Sequence, residues 1–360
     1  MIFSERQPNT IGDREAEQKM KPRLDEVAKL AGVGIATVDR VLNERGGVSP
    51  KTALKVIEAA RQLGIGRVLP SPYRRLLRVK VIMPSHRTPL LQRLARAFKY
   101  QSVQNIKTLV IERVLFEERN AAAVPEMIRK GTADAVIVFV PESSTMIEAI
   151  ASATSSGTPI ITLVSDLPTT PRLAYVGIDH YRAGQAAGLF MARMARQKKF
   201  LAVCSSLKYR AEASKISGFR DSIRAELADT PPIDVLEGDA WPRTTCDRSV
   251  GGLYIAGSKA SLALSLEPWL STNPVVIVND LDEEVQRLMH SGAITLTIDQ
   301  NPEEQASRSI AMLLSRLGIT PHNHVSTMVP FTIHTRHNIA QTDGATASLP
   351  SGRGAVRQSV

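Results

Sequence analysis

Long apolar runs, paired cysteines and an apolar leader are all missing from this 360-residue sequence. No run of about 18 apolar residues occurs, which excludes a conventional membrane-spanning helix, and residues 1–20 are polar and charged. We therefore expect a cytoplasmic protein without a membrane partner. The two cysteines, Cys204 and Cys246, lie in different predicted elements without CxxC spacing, so we expect reduced thiols and no disulfide framework.

Sequence motifs of catalysis are missing as well. The sequence contains no GxSxG, HExxH or GxxxxGK[ST] motif in the context that such chemistry requires. His322, His324, His334 and His337 cluster late in the chain, but no carboxylate is spaced with them as a metal site would need. We expect no catalytic residues, no metal and no cofactor.

Positive charge is concentrated in one segment. Residues 21–80 contain thirteen Lys or Arg and five Asp or Glu, a net +8 of the chain's formal +10. Such a local excess suits a polyanion, because cations placed near phosphates release condensed counterions. The alternative interpretation is a solvated or membrane-facing surface.

Three helical patterns follow one another closely between residues 24 and 63. Gly32 separates the first two, and the third starts with Ser49 as N-cap and Pro50 at its first position, then stops at Gly64. This pattern predicts a small all-α domain over residues 21–65, preceded by a disordered tail over 1–20.

Short β-branched runs alternate with helical stretches over residues 79–338. Ten strand candidates extend from VKVIM (79–83) to AITLTID (293–299). Continuous apolar strands are typical of parallel sheets covered on both faces, and this many strands fit two α/β lobes better than one sheet. We expect a ligand cleft where the carboxyl ends of the strands meet, a linker over 66–78 and a disordered tail over 339–360.

The segment AGVGIATVDRVLN (31–43) has two interpretations, a dinucleotide-binding loop or the turn of a helix-turn-helix. The first requires a preceding strand and a third glycine, but RLDEVAKLA is helical and Thr37 stands at the glycine's place. The second requires a small residue where the helices cross, a turn glycine and a buried apolar face. Ala28, Gly32 and Val38 meet these requirements.

The sequence VAKLAGVGIATVDRVLN, followed by VSPKTALKVIEAARQLG, resembles the DNA-binding headpiece of the LacI/GalR family of bacterial transcription regulators. The resemblance implies a periplasmic-binding-protein-like sensing core, a homodimer, and an operator released or bound in response to a small sugar or polyol; most members are repressors. Matching positions imply that duplex DNA is contacted by Ile35, Ala36, Thr37, Arg40, Asn43 and Thr52. Gly34 and Asp39 depart from the family's usual serines, which predicts an altered site preference.

The same resemblance implies an effector site built from loops that follow strands. Its expected members are His86, Arg87, Thr88, Asp166, Lys215, Asp280 and Gln300. A mixture of carboxylates, an amide and cations suits ligand hydroxyl groups. Lys215 replaces the family's usual arginine and Gly257 its usual asparagine, so we expect a changed ligand set.

The segment 66–80 matches the place where relatives carry a hinge helix that inserts a leucine into the minor groove. Two prolines interrupt the usual sequence, although proline is tolerated in a first helical turn. We expect Leu76 or Leu77 as the wedge, with Arg74 and Arg75 near phosphates. An extended linker with solvated arginines is the alternative.

Two other classes of function share this scaffold. A solute-binding protein is disfavoured by the basic N-terminal segment and the missing leader. A sugar-modifying enzyme is disfavoured by the missing catalytic motifs.

Overall fold

The computed structural model describes residues 24–340, except 44, 46, 66–75, 86, 87, 107, 131, 196–198, 239–248, 258–272 and 321–325. In this part of the chain, three short helices precede two parallel-rich α/β sheets, which confirms the predicted fold class. The predicted tail over 1–20, nearly all of the tail over 339–360, and the site candidates Arg74, Arg75, His86 and Arg87 lie outside the described residues. Within the described residues, every helix is too short or too polar to cross a bilayer.

The N-terminal helices are α1 (Leu24–Ala31), α2 (Ile35–Leu42) and α3 (Pro50–Gln62). Gly32 takes a positive φ of 65° in the turn between α1 and α2, a conformation that a residue without Cβ adopts at low cost. Val27, Val38 and Val56 are fully buried where the helices meet. This apolar cluster is separate from those of the sheets, so the helix-turn-helix has a core of its own.

The first lobe is a five-stranded parallel sheet in the order β2-β1-β3-β4-β5. Its strands are β1 (Leu77–Pro84), β2 (Leu109–Phe116), β3 (Ala135–Val138), β4 (Ile160–Leu163) and β5 (Ala174–Val176). The helices of this lobe are α4 (Pro89–Gln104), α5 (Val124–Arg129), which follows a 3-10 turn at Glu118–Ala123, and α6 (Ser144–Ser155). Ser143 and Thr88 cap α6 and α4 by accepting hydrogen bonds from backbone amides.

One predicted hinge residue is corrected by this sheet. Leu77 is the first residue of β1, pairs with Leu109 and is only 1% exposed. A side chain packed in the sheet is not available to enter a base step, so the assignment of Leu77 to the hinge is wrong. Leu76 is 42% exposed and remains the predicted leucine of the minor groove.

The second lobe is a six-stranded sheet in the order β11-β10-β9-β8-β6-β7, in which β11 alone is antiparallel among the described strands. Its strands are β6 (Lys199–Cys204), β7 (Ile233–Glu237), β8 (Val250–Ile255), β9 (Val275–Asn279), β10 (Leu296–Asp299) and β11 (Thr332–His334). The helices that follow β5 are α7 (His180–Met194), α8 (Arg210–Glu226), α9 (Glu283–His290) and α10 (Pro302–Arg316). Of these helices, α10 packs back against α4 of the first lobe.

The two lobes meet through loops at the carboxyl ends of their strands. The Ala211 amide donates to Ser165 Oγ at 3.3 Å, and the Glu142 amide donates to the Lys208 carbonyl at 3.1 Å. Ser165 and Glu142 follow strands of the first lobe, whereas Lys208 and Ala211 flank the start of α8 in the second. Polar residues after the strands of both lobes are thereby brought together.

Glycines let α7 and α8 approach very closely. A Cβ at Gly184 would overlap the carbonyl group of Lys215, and one at Gly218 would overlap the carbonyl oxygen of Tyr181. Because these neighbours are backbone atoms, they cannot turn aside as a flexible side chain would. The close contact sets the position of α8, which carries Lys215 into the second lobe.

Replacing Gly184 by alanine should therefore destabilise the core by about 1–3 kcal/mol, the usual cost of overpacking. Chemical unfolding followed by circular dichroism measures this change. Gly34→Ala is the matched control, because Gly34 has a φ of −73° and no atom within 4 Å of an added Cβ. Equal stability of the two variants would contradict the close-packing argument.

Candidate functional site

The exposed face of α2 carries the residues expected to contact DNA. Ile35 at its first position is 54% exposed, Ala36, Arg40 and Asn43 are also exposed, and Thr37 is half-buried. The opposite face of the helix is held in the core by Val38, Val41 and Leu42. This leaves the first face open to a partner.

Thr52, the sixth residue expected at DNA, lies in the first turn of α3. Its hydroxyl is 2.8 Å from the Ser49 hydroxyl, and its backbone amide donates to Ser49 Oγ at 3.2 Å. The second bond confirms Ser49 as the helix cap. Thr52 is half-buried, so its hydroxyl is only partly accessible from solvent.

The Asp39 carboxylate is paired with other side chains of the headpiece. The Asn43 side-chain amide donates to Asp39 Oδ1 at 2.6 Å, and Arg45 forms an ion pair with Asp39 Oδ2 at 2.8 Å. Arg45 lies beyond the end of α2 and was not predicted as a functional residue from the sequence. Gly34 precedes α2 without a side-chain cap, so the departure from serine leaves that helix start uncapped by a side chain.

Three of the expected effector residues come together in the second lobe. Asp280 follows β9 and Gln300 follows the neighbouring β10, and Gln300 Nε2 donates to Asp280 Oδ1 at 2.7 Å. Lys215, 3% exposed on α8, donates to the Ala256 carbonyl at 3.1 Å and is attracted by the Asp280 carboxylate. Asp280 has a positive φ of 68°, a strained backbone conformation of the kind found at binding sites.

Glu212 joins this cluster, although the sequence argument missed it. Its carboxylate accepts from the Ser205 and Ser206 amides at 2.5 and 3.2 Å. A Cβ at Gly257 would lie 2.9 Å from Glu212 Oε2, so Glu212 fills the space beside the position where the family's asparagine is expected. The spacing of Glu212 and Lys215, three residues apart on one helix, was the available signal.

Burial perturbs the charges of this cluster. It raises the pKa of Glu212, against the opposing effect of Lys215 and of the amides that hold the carboxylate. It lowers the pKa of Lys215, and Asp280 and Glu212 oppose that shift. The charged forms of Glu212 and Lys215 are therefore stabilised by the oppositely charged side chains beside them.

Several buried polar atoms near this cluster have no hydrogen-bond partner among the described residues. They are Gln300 Oε1, Gln305 Oε1 and His180 Nδ1. His180 Nε2 lies 2.6 Å from the Val164 carbonyl, and burial, together with the charge of Lys215, lowers its pKa to about 3. A neutral ring that donates through Nε2 leaves Nδ1 as an acceptor, so all three atoms suit a ligand that offers hydroxyl donors.

The hydrogen bonds and the ion pair of Asp166 and Thr88 are local to the first lobe. Asp166 pairs with Arg172 at 2.6 Å and accepts from Thr162 at 2.9 Å and from the Leu167 amide at 2.7 Å. Thr88 accepts from the Leu91 amide at 3.3 Å as the cap of α4. The structure thus gives both residues local partners within the first lobe.

Arg93, on α4 of the first lobe, binds the loops next to Asp280 and Gln300. Its Nε and Nη2 donate to Glu303 at 2.9 and 2.6 Å, Nη1 and Nη2 donate to Asp299 at 2.5 and 3.1 Å, and Nη1 donates to the Leu281 carbonyl at 3.1 Å. All five N–H donors of the guanidinium are used. No sequence motif pointed to this arginine.

The part of the chain that the structure describes contains no group of three His, Cys, Asp or Glu side chains placed to hold a metal. His334 lies in β11, and His337 accepts from Arg336 Nε at 3.2 Å. Cys204 is buried, with its Sγ 3.7 Å from the Leu236 carbonyl. His322, His324 and Cys246 lie outside the described residues.

Comparison with known proteins identifies two domain families. A model of the lacI family of bacterial regulatory proteins matches residues 23–65, and a periplasmic binding protein domain matches residues 117–318. The core has a solved structural relative in GanP, a glucose-galactose binding protein from Geobacillus stearothermophilus. The TM-score is 0.62 at 17% identity, over 74% of this chain and 100% of that one.

Two curated relatives are transcription regulators. The HTH-type transcriptional regulator DegA of Bacillus subtilis is 23% identical over 208 residues, which is 57% of this chain and 61% of DegA. The sucrose operon repressor of Pediococcus pentosaceus is 54% identical over 44 residues, 12% of this chain and 14% of that repressor. The chain thus spans less than two thirds of each relative's length.

Replacing Lys215 by methionine should destabilise the protein by about 3–5 kcal/mol near pH 7.5, because buried carboxylates lose their cation. The pKa of Glu212, already raised by burial, should rise further. A raised carboxyl pKa favours the folded state at low pH and loses that contribution as pH rises, so the deficit should shrink near pH 5.

Urea unfolding of the Lys215→Met protein at the two pH values measures this effect. Lys208→Met, an exposed lysine on the same segment, is the matched control and should change stability little. A deficit in Lys215→Met that is independent of pH would contradict the charge argument.

Proposed function

The chain belongs to the lacI family of bacterial regulatory proteins and contains a periplasmic binding protein domain, and on this basis we propose that it is a transcriptional repressor. It binds operator DNA through its N-terminal helices, in the cytoplasm and as a homodimer. A small sugar or polyol that binds between the lobes changes its affinity for the operator. One observation carries the proposal: a single chain joins a helix-turn-helix with an exposed face to a core in which buried polar atoms without a partner among the described residues lie close together.

In this proposal residues 21–65 form the headpiece, which reads duplex DNA. The open face of α2 enters the major groove, where Ile35 and Ala36 suit the methyl group of thymine and Arg40 suits guanine or phosphate. The net +8 of residues 21–80 supplies the attraction to phosphates. The linker ends at Leu76, because Leu77 belongs to the first strand of the core.

Arg40→Ala should weaken operator binding by about 1–3 kcal/mol if Arg40 contacts a base. Operators selected from random duplexes, followed by fluorescence anisotropy at several salt concentrations, provide the measurement. Lys99→Ala, an exposed lysine on α4 of the core, is the control and should bind normally. Unchanged binding of the Arg40 variant would show that α2 does not read the operator in this way.

The effector site in this proposal comprises Lys215, Asp280 and Gln300, and we include Glu212 and His180 because both lie close enough to Lys215 to feel its charge. Ligand hydroxyls would donate to Gln300 Oε1 and His180 Nδ1, which have no partner among the described residues. The resemblance of the core to a glucose-galactose binding protein supports a ligand of this chemical class. A ligand that binds the closed arrangement of the lobes more tightly shifts the population toward it.

A screen of sugars and polyols by thermal shift should yield at least one that raises the melting temperature. In Gln300→Ala that shift should fall by most of its size, because the amide both orients Asp280 and offers Oε1 to the ligand. Asn301→Ala is the adjacent control, since Asn301 bonds to Pro330 and Thr332 instead. An equal loss in both variants would indicate general loosening of the loop.

The homodimer is supported by an exposed apolar patch along α4 and β2, composed of Tyr100, Val103, Ile106 and Val110. β2 is the edge strand among the described strands of its sheet, and exposed apolar side chains beside a sheet edge are a common site of self-association. A two-fold contact between copies would bury the patch twice and hold two headpieces for the halves of a palindromic operator.

Ile106→Glu should convert the dimer to monomer at micromolar concentration, because it places a charge in the patch where Ile106 is 67% exposed. Sedimentation velocity measures the association state. Leu189→Glu, also exposed but on α7, is the matched control and should remain dimeric. A dimer that persists in Ile106→Glu would assign the interface to another surface.

The same experiments discriminate the two alternative functions. A solute-binding protein would bind sugars without selecting any operator. A sugar-modifying enzyme would convert the sugar, which chromatography of the incubated ligand would reveal.

A further inference from the structure

Arg93 stands outside the candidate effector site but is bonded to both of its loops. The Leu281 carbonyl that Arg93 binds directly follows Asp280, and the Asp299 carboxylate directly precedes Gln300. Asp299, 3% exposed, also accepts from the Leu281 and Asn301 amides at 3.2 and 3.3 Å. A single guanidinium and a single carboxylate therefore tie the backbones of the two loops together.

This arrangement spans the two lobes. Arg93 lies on α4 of the first lobe, whereas β9 and β10, whose ends it holds, belong to the second. The Arg93 side chain is 16% exposed and its two carboxylate partners are bound through both of their oxygens. Partly buried bidentate pairs of this kind hold geometry far better than exposed single contacts.

The same helix carries part of the apolar patch, namely Tyr100 and Val103. Arg93 and Tyr100 are seven residues apart on α4, a spacing that places both on one face of a helix, and Ile106 follows shortly after the helix ends. A shift of the loops at Asp280 and Gln300 must therefore move α4 or break bonds to Arg93. Displacement of α4 changes the geometry of the patch.

We propose that Arg93 is the positioning residue that links the effector loops to the subunit interface. It contacts neither ligand nor DNA; it makes α4 follow the loops that hold Asp280 and Gln300. This inference rests on the proposed function for the identity of the two sites. Linkage between two sites is reciprocal, so a change at the subunit interface must also alter the loops that hold Asp280 and Gln300. The coupling can therefore be tested from the interface without knowing the effector.

Hydrogen exchange at the Leu281 and Asn301 amides, measured by mass spectrometry on the full chain, tests the proposal. Dissociating the dimer with Ile106→Glu should change exchange at these amides by about fivefold or more while Arg93 is present. In Arg93→Lys, which keeps the charge but loses the five-donor fork, the same dissociation should change exchange by less than about twofold. Lys99→Arg on the same helix should behave like the unmodified chain.

Three outcomes would overturn the proposal. Dissociation of the dimer could change exchange at the two amides equally with and without Arg93, or could leave exchange unchanged in the unmodified chain. The third outcome is a dimer that persists in Ile106→Glu. If Arg93→Lys does not fold, Glu303→Gln replaces it, because Glu303 is 56% exposed and supplies two of the five bonds. That variant should give a reduced interface effect, and an undiminished one overturns the proposal. Operator selection by the unmodified chain is scored separately, so failure of DNA binding is distinguishable from failure of this link.

Discussion

Parallel strand pairing is the constraint on which the rest of this structure depends. In a parallel sheet the chain must return to the same end of the sheet before each new strand begins. The carboxyl ends of all parallel strands therefore lie together at the opposite end. Residues far apart in sequence, such as Lys215, Asp280 and Gln300, thereby become neighbours. The same geometry places Arg93 of one lobe against Asp299 of the other.

Convergence of this kind concentrates charge where water is scarce. Lys215 opposes the cost of burying Glu212, Glu212 and Asp280 oppose the cost of burying Lys215, and Arg93 opposes that of burying Asp299. A buried ion pair adds little net stability, but removal of one partner is strongly destabilising because it leaves a buried charge unpaired. The cluster therefore favours one arrangement of the loops over others.

Much of the fold was readable from the sequence, because periodicity reports burial. All ten strand candidates have counterparts, since apolar runs such as DAVIVFV sit in fully buried strands. β11 was missed: Thr332–His334 is three residues long, half-buried and paired antiparallel at a sheet edge, so it has no apolar run. The start of β1 was placed two residues late, because Arg78 and Lys80 interrupt the apolar pattern there.

The candidate site could be predicted only in part from the sequence, because a motif indicates residue types but not which residues they contact. The resemblance implied Lys215, Asp280 and Gln300, which the structure brings together, but gave no reason to select Arg93, whose five bonds reach residues 188 to 210 positions away. It also included Asp166, whose carboxylate is already engaged by Arg172. The departures from the family pattern prove connected in space: the glycine at 257 leaves the room that the Glu212 carboxylate takes, and Glu212 faces the lysine at 215. Gly257 and Lys215, which look independent in the sequence, are thus both neighbours of Glu212 in one buried cluster.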